Sequence, residues 1–176
     1  MPQSTRPVRD GVVIGLIAYL AVAAFYALFD FLAARGPLFT VNLLGLALFR
    51  GARDAAILQT PIALDAAAIT AYNAVHLALS LAIGLVVMAL VGYAERRRAP
   101  APAATAVIVI GFVVTILAVG FLSRPIRPVL PWWSIVVANS LAVLLAGGYL
   151  LRSHPGLWRR MMPILAGPTA GDRGDP

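Results

Sequence analysis

Cysteine and lysine are both missing from this chain of 176 residues, and glutamate occurs once, at Glu95. Without cysteine there is no disulfide, no thiolate metal site and no thiol redox couple. The two histidines, His76 and His154, leave any three-ligand zinc site dependent on carboxylates from distant points of the chain. Charged residues of either sign make up only 12% of the sequence. The patterns of soluble-enzyme chemistry are absent too: no GxxxxGK(S/T), no GxGxxG after a strand, no HExxH and no GxSxG. A non-enzymatic role is therefore the expectation.

What the chain has in excess is hydrocarbon. It is 61% hydrophobic with a mean hydropathy of +0.89, against roughly 45–50% apolar residues in a soluble domain. All 14 basic residues are arginine, and the net charge is +7. Arginine without lysine, together with abundant alanine, fits the coding bias of a GC-rich bacterial genome, so a bacterial inner membrane is the expected location. The arginines lie between apolar runs, where they set membrane topology rather than bind nucleic acid.

The fold class read from these runs is all-α, an integral membrane four-helix bundle. Spans are expected at about 11–34, 61–94, 103–122 and 132–151, within a transmembrane domain covering 11–154. The first carries the uncharged run GVVIGLIAYLAVAAFYALF, close to the ~20 residues that cross a bilayer and too long for a signal peptide. Thr60-Pro61 reads as an N-cap followed by proline in the first turn, starting a helix of roughly 50 Å that projects from a ~30 Å core at its Thr60 end. Trp132-Trp133 is an aromatic anchor opening the fourth span. Residues 99–102 are a linker, and the proline-rich SRPIRPVLP is a short extended connector. LFTVNLLGLALF, twelve residues from Leu38 to Phe49, is too short to cross and suits a re-entrant or interfacial helix. Arginine flanks number eight on the side of the termini against five on the other, placing residues 1–10 and the tail 155–176 in the cytoplasm, the tail ending in disorder.

Polar residues inside these spans are few. Asp65, Ile69, Tyr72, His76 and Ser80 fall on one helix face, and Gly15, Tyr19, Val22, Tyr26 and Asp30 form a matching stripe on the first span. Gly11 and Gly15 allow close helix approach, so the two stripes are expected to meet in an antiparallel hairpin. The candidate polar cluster is Tyr26, Asp30, Asp65, Tyr72, Asn73 and His76. His76 reads as a hydrogen-bonding histidine, with ligand or proton handling and haem ligation as the sharper alternatives. Bis-histidine haem needs a second intramembrane histidine, and His154 lies at the opposite edge, so no cofactor is expected. Asp30 is expected to pair with Arg35 or Arg50, and Asp65 to favour the positive end of its helix. Asn73 suits an interhelical hydrogen bond. Arg96, Arg97 and Arg98 are a topology signal and the candidate contact for anionic lipid.

The runs GPLFTVNLLGLALFRGARD and AYNAVHLALSLAIGLVVMAL resemble a pattern in small bacterial four-span membrane proteins of no assigned activity. The resemblance covers about the first 95 residues and implies only that the first loop and the Tyr72–His76 segment belong together. The chain departs from small multidrug transporters, which carry a glutamate in their first span: here no acid lies between Gly11 and Phe29. Two roles follow as expectations. The first is an accessory or assembly subunit that packs in the bilayer against a membrane partner or a second copy. The second is a transporter or ligand binder with an outward-facing pocket around Asp30, Tyr72 and His76.

Overall fold

The computed structural model describes residues 5–51, 62–97 and 130–154, with seven scattered positions from Val109 to Phe121. Its helices are α1 (Thr5–Leu32), α2 (Phe39–Phe49), α3 (Ala66–Arg97) and α4 (Trp132–Ser153). Those seven positions are all helical, within the segment expected as the third span. The rest of 103–122, the linker 99–102, SRPIRPV and the tail 155–176 lie outside the described residues.

Three segments, Pro7–Leu32, Ala66–Tyr93 and Trp132–Ser153, are long and apolar enough to cross a membrane. In hydrocarbon every backbone polar group needs an internal partner, and a continuous helix supplies one. α1 begins earlier than expected, at Thr5 rather than Gly11. Pro7 is no obstacle there, because first-turn N–H groups have no intrahelical acceptor to lose. The helix ends where Ala34 turns left-handed, at φ 55°, and the Arg35 N–H reaches back to the Asp30 carbonyl at 3.0 Å.

α2 is an eleven-residue apolar helix between the first two spans, about 16 Å long and so unable to cross. The Arg50 N–H closes it on the Leu46 carbonyl at 2.9 Å, and Gly51 follows at φ 67°, a conformation that favours glycine.

The start of α3 corrects the sequence reading. Thr60 and Pro61 lie outside the described residues, and 62–65 is not helical. Asp65, not Thr60, is the cap: its Oδ1 accepts the Ala68 N–H at 2.9 Å. The cause sits on α2. The Asn42 amide accepts the Asp65 N–H at 2.9 Å and donates to the Ala63 carbonyl at 3.1 Å. It thereby takes backbone groups that a longer helix would use itself. The remaining 32 residues still span about 48 Å, well beyond a ~30 Å core.

α4 starts at Trp132, as expected, with the Ser134 N–H and Oγ both donating to the Pro131 carbonyl at 3.0 and 2.7 Å. α1 runs antiparallel to both α3 and α4. Against α3, Gly11 lies beside Gly84 and Leu85, and Gly15 beside Ser80 and Leu81. Against α4, Asp10 meets Tyr149 and His154, while Phe29 meets Trp133. Arg97 and Leu130 therefore lie at opposite ends of the bundle.

Two apolar clusters mark the ends. At the Asp10 end, Ile14, Met88, Val91 and Leu150 pack together. At the α2 end, Leu43, Leu130 and Ile135 are joined by Tyr26, Phe39, Leu44, Ala47 and Ile62.

Candidate functional site

The expected stripes do meet. Tyr19 on α1 donates its hydroxyl to Asn73 Oδ1 at 2.9 Å, and Asn73 Nδ2 donates to the Ile69 carbonyl at 3.0 Å within α3. The His76 ring lies between two tyrosines, with Tyr19 edge-on at 5.2 Å and Tyr72 tilted at 5.9 Å between centroids. Ser80, at the foot of the stripe, is buried where Gly15 rides over it.

Toward α2 the helices part and leave a cavity of about 210 Å³. Val22, Ala23 and Tyr26 of α1, Leu38, Val41 and Leu44 from the α2 region, and Tyr72, Asn73 and His76 of α3 are among the residues that line it. Its hydrogen-bonding groups divide in two. Tyr26 Oη lies 3.5 Å from Ser134 Oγ. Because that Oγ already donates to Pro131, the tyrosine is the donor. The Thr40 hydroxyl donates to Asp30 Oδ1 at 2.7 Å, and the Asn73 amide is engaged as described. The Tyr72 hydroxyl and both His76 ring nitrogens, in contrast, have no hydrogen-bond partner among the described residues.

Asp30 does not line this cavity. It is fully buried behind it, accepting the Thr40 N–H at 2.6 Å and the Thr40 hydroxyl at 2.7 Å. Arg35, one of its two expected partners, lies 3.7 Å away, with its guanidinium over the Phe29 ring at 5.1 Å and the Phe39 ring at 4.8 Å. Arg50, the other, turns instead to Asp65 at 3.0 Å. Thr40 was the partner that sequence missed. It stands ten residues from Asp30 across a turn, a spacing that carries no helical signal.

Asp65 also stays out of the cavity, at the half-exposed outer end of α3. The Ala68 N–H, followed by the Arg50 guanidinium, holds its carboxyl below the usual carboxylate range. Of the six residues in the expected cluster, Tyr26, Tyr72, Asn73 and His76 share the cavity, while Asp30 and Asp65 serve the framework around it. Among the arginines, Arg98 lies outside the described residues, and only the helical backbone of Arg96 and Arg97 is described.

A second polar group, at the other end of α1, had no counterpart in the sequence reading. Asp10 is buried there and takes Tyr149 Oη, His154 Nε2 and Arg9 Nη2 at 3.3 Å each. It joins the start of α1 to the end of α4.

Among the described residues, no group of three or more His, Asp or Glu side chains lies close enough to hold a metal. The chain matches no family model, no curated protein and no solved structure. Length, hydropathy and packing together make it a small multi-pass membrane protein of helical-bundle type.

Proposed function

We propose that this protein is a non-enzymatic, ligand-binding membrane protein whose site is the cavity between α1, α2 and α3. One observation carries the reading: the Tyr72 hydroxyl and the His76 imidazole open on an apolar-walled cavity with no partner among the described residues. Polar groups kept in lipid without a partner are costly, and a pocket with a few convergent polar groups is the usual form of a binding site. A subunit that only packs against a membrane partner or a second copy would use its lipid-facing sides, which leaves the cavity unexplained. Binding is favoured over catalysis because no carboxylate among the described lining residues orients the imidazole as a base.

The same proposal includes four spans. α3 and α4 both run antiparallel to α1, so the segment connecting them crosses once, as the expected span at 103–122 requires. With that crossing and the arginine bias, both termini face the cytoplasm of a bacterial cell. α2 then belongs to the outer side, covering the cavity either as a re-entrant or as an interfacial helix.

Native mass spectrometry of the protein, gently extracted from its own membrane, tests the reading. A small bound mass that disappears in the Tyr72→Phe/His76→Phe double variant supports it. A bare chain, or an extra mass equal to another polypeptide and unchanged in the variant, counts against it and returns the packing role to first place.

A further inference from the structure

The walls of this cavity also restrict what can enter, and the following rests on the ligand-binding reading above. We infer that the cavity takes the end of a neutral molecule, the size of a six-membered ring or a short chain, that bears one carbonyl or hydroxyl oxygen.

Three observations lead there. First, no described residue that lines the space carries a formal charge: Asp30 is spent on Thr40 and Arg35 behind the wall, and Asp65 and Arg50 hold each other at the rim of α3. An ionic ligand would leave its charge facing valine, alanine and leucine without a counter-ion, and burying an unpaired charge is heavily penalised. Second, the groups on offer match a single oxygen. The Tyr72 hydroxyl donates to a carbonyl or hydroxyl oxygen, and His76 can donate from one ring nitrogen or accept at the other. Both sit on the same face of α3, one turn apart, with ring centroids separated by 5.9 Å. Third, the space is about 210 Å³. It falls below the ~300–1,000 Å³ of pockets for drug-sized ligands. That excludes enclosure of a haem macrocycle and admits a ring with one substituent.

Such an oxygen-bearing end could belong to a free solute or to the headgroup of a lipid-soluble molecule reaching in between the helices. The chemistry recognised is the same, and the experiment separates the sources.

The test uses the full chain in lipid nanodiscs, labelled with ¹³C,¹⁵N-histidine. His76 and His154 then give two reporters, one at the cavity and one at the far end as an internal control. Four near-isosteric probes are titrated: cyclohexanone, methylcyclohexane, cyclohexanecarboxylate and cyclohexylammonium. Cyclohexanone should shift the His76 signals, leave those of His154 in place, and bind about tenfold or more tighter than methylcyclohexane, one hydrogen bond's worth of preference. In Tyr72→Phe that preference should fall by a similar factor while the fold is retained. Equal binding of methylcyclohexane overturns recognition of an oxygen, and tighter binding of the carboxylate or ammonium overturns neutrality; in both cases the cavity remains a binding site. If no probe moves His76, the binding site itself is refuted. A cyclohexanone carrying a dodecyl chain completes the set. Tighter binding than the parent identifies a membrane-dissolved source, and equal binding identifies a free solute, both within the inferred class.

Discussion

Where Gly11 and Gly15 face Gly84, α1 and α3 touch backbone to backbone; one turn further along, at Tyr19, the same two helices are held apart by rings. The first region is closed. A Cβ on Gly15 would stand 2.7 Å from the Leu81 Cα, and one on Gly84 would collide with the Gly11 carbonyl. In lipid, where the hydrophobic effect gives helices no reason to associate, such backbone contact supplies the dispersion energy that holds them together. The second region gives up that contact. It replaces it with a hydrogen bond from Tyr19 to Asn73, edge-on and tilted ring contacts at His76, and a cavity. One helix pair thus has a structural half made by removing side chains and a recognition half made by adding them.

The sharpest way to break this contrast is to put a side chain into the seam. Gly84→Ala places a methyl group on the backbone of α1, and the helices must separate along their whole contact. The expected cost is about 3 kcal/mol or more, read as loss of the unfolding transition in detergent. A variant that unfolds like the parent would show that the seam is not what joins the helices.

Next comes the framework behind the cavity. Asp30→Ala strands the buried N–H and hydroxyl of Thr40, an expected loss of about 1–3 kcal/mol. Limited proteolysis should show α2 detaching before the rest of the bundle. Equal protection of α2 in both proteins would mean that other contacts hold it.

Smaller again is Tyr19→Phe, which removes one interhelical hydrogen bond. Such bonds average about 0.6 kcal/mol within membranes, so chemical denaturation should register a small loss. A loss as large as that of Gly84→Ala would erase the distinction between the two halves.

The smallest effect belongs to Asp65. Its carboxyl is held below the usual carboxylate range in the folded protein. Its contribution is therefore complete above that range and lost as pH falls through the lowered value. Melting temperatures of the parent and Asp65→Asn should differ slightly at neutral pH and converge in acid. Divergence on acidification would reverse the sign and exclude the capping account.

How far the sequence carried depended on the kind of signal. Helical periodicity aligned Tyr19, Tyr72, His76 and Ser80 because a fixed rise and turn project such positions onto one face whatever the surroundings. Gly11 and Gly15 were legible as a small-residue pair, and Gly84, which completes the seam, was passed over inside an apolar run. Thr60-Pro61 gave a sound local start signal, but a tertiary contact from Asn42 overrode it and moved the start of α3 to Asp65. The link from Asp10 to Tyr149 and His154 spans most of the chain, and nothing in local spacing announces it. Asp30 reads as half of an interfacial ion pair because Thr40, its main partner, carries no charge to advertise the match.

The Asn42 amide has a consequence for how the protein is made. Both of its partners come later in the chain, Ala63 by 21 residues and Asp65 by 23. At a synthesis rate of about 5–20 residues per second, α2 waits roughly one to five seconds before those groups exist. During that interval the short apolar helix has emerged but cannot be fastened. The first loop is therefore completed from its far side, by the arrival of α3, and the cavity it covers exists only once both neighbouring spans are in the bilayer.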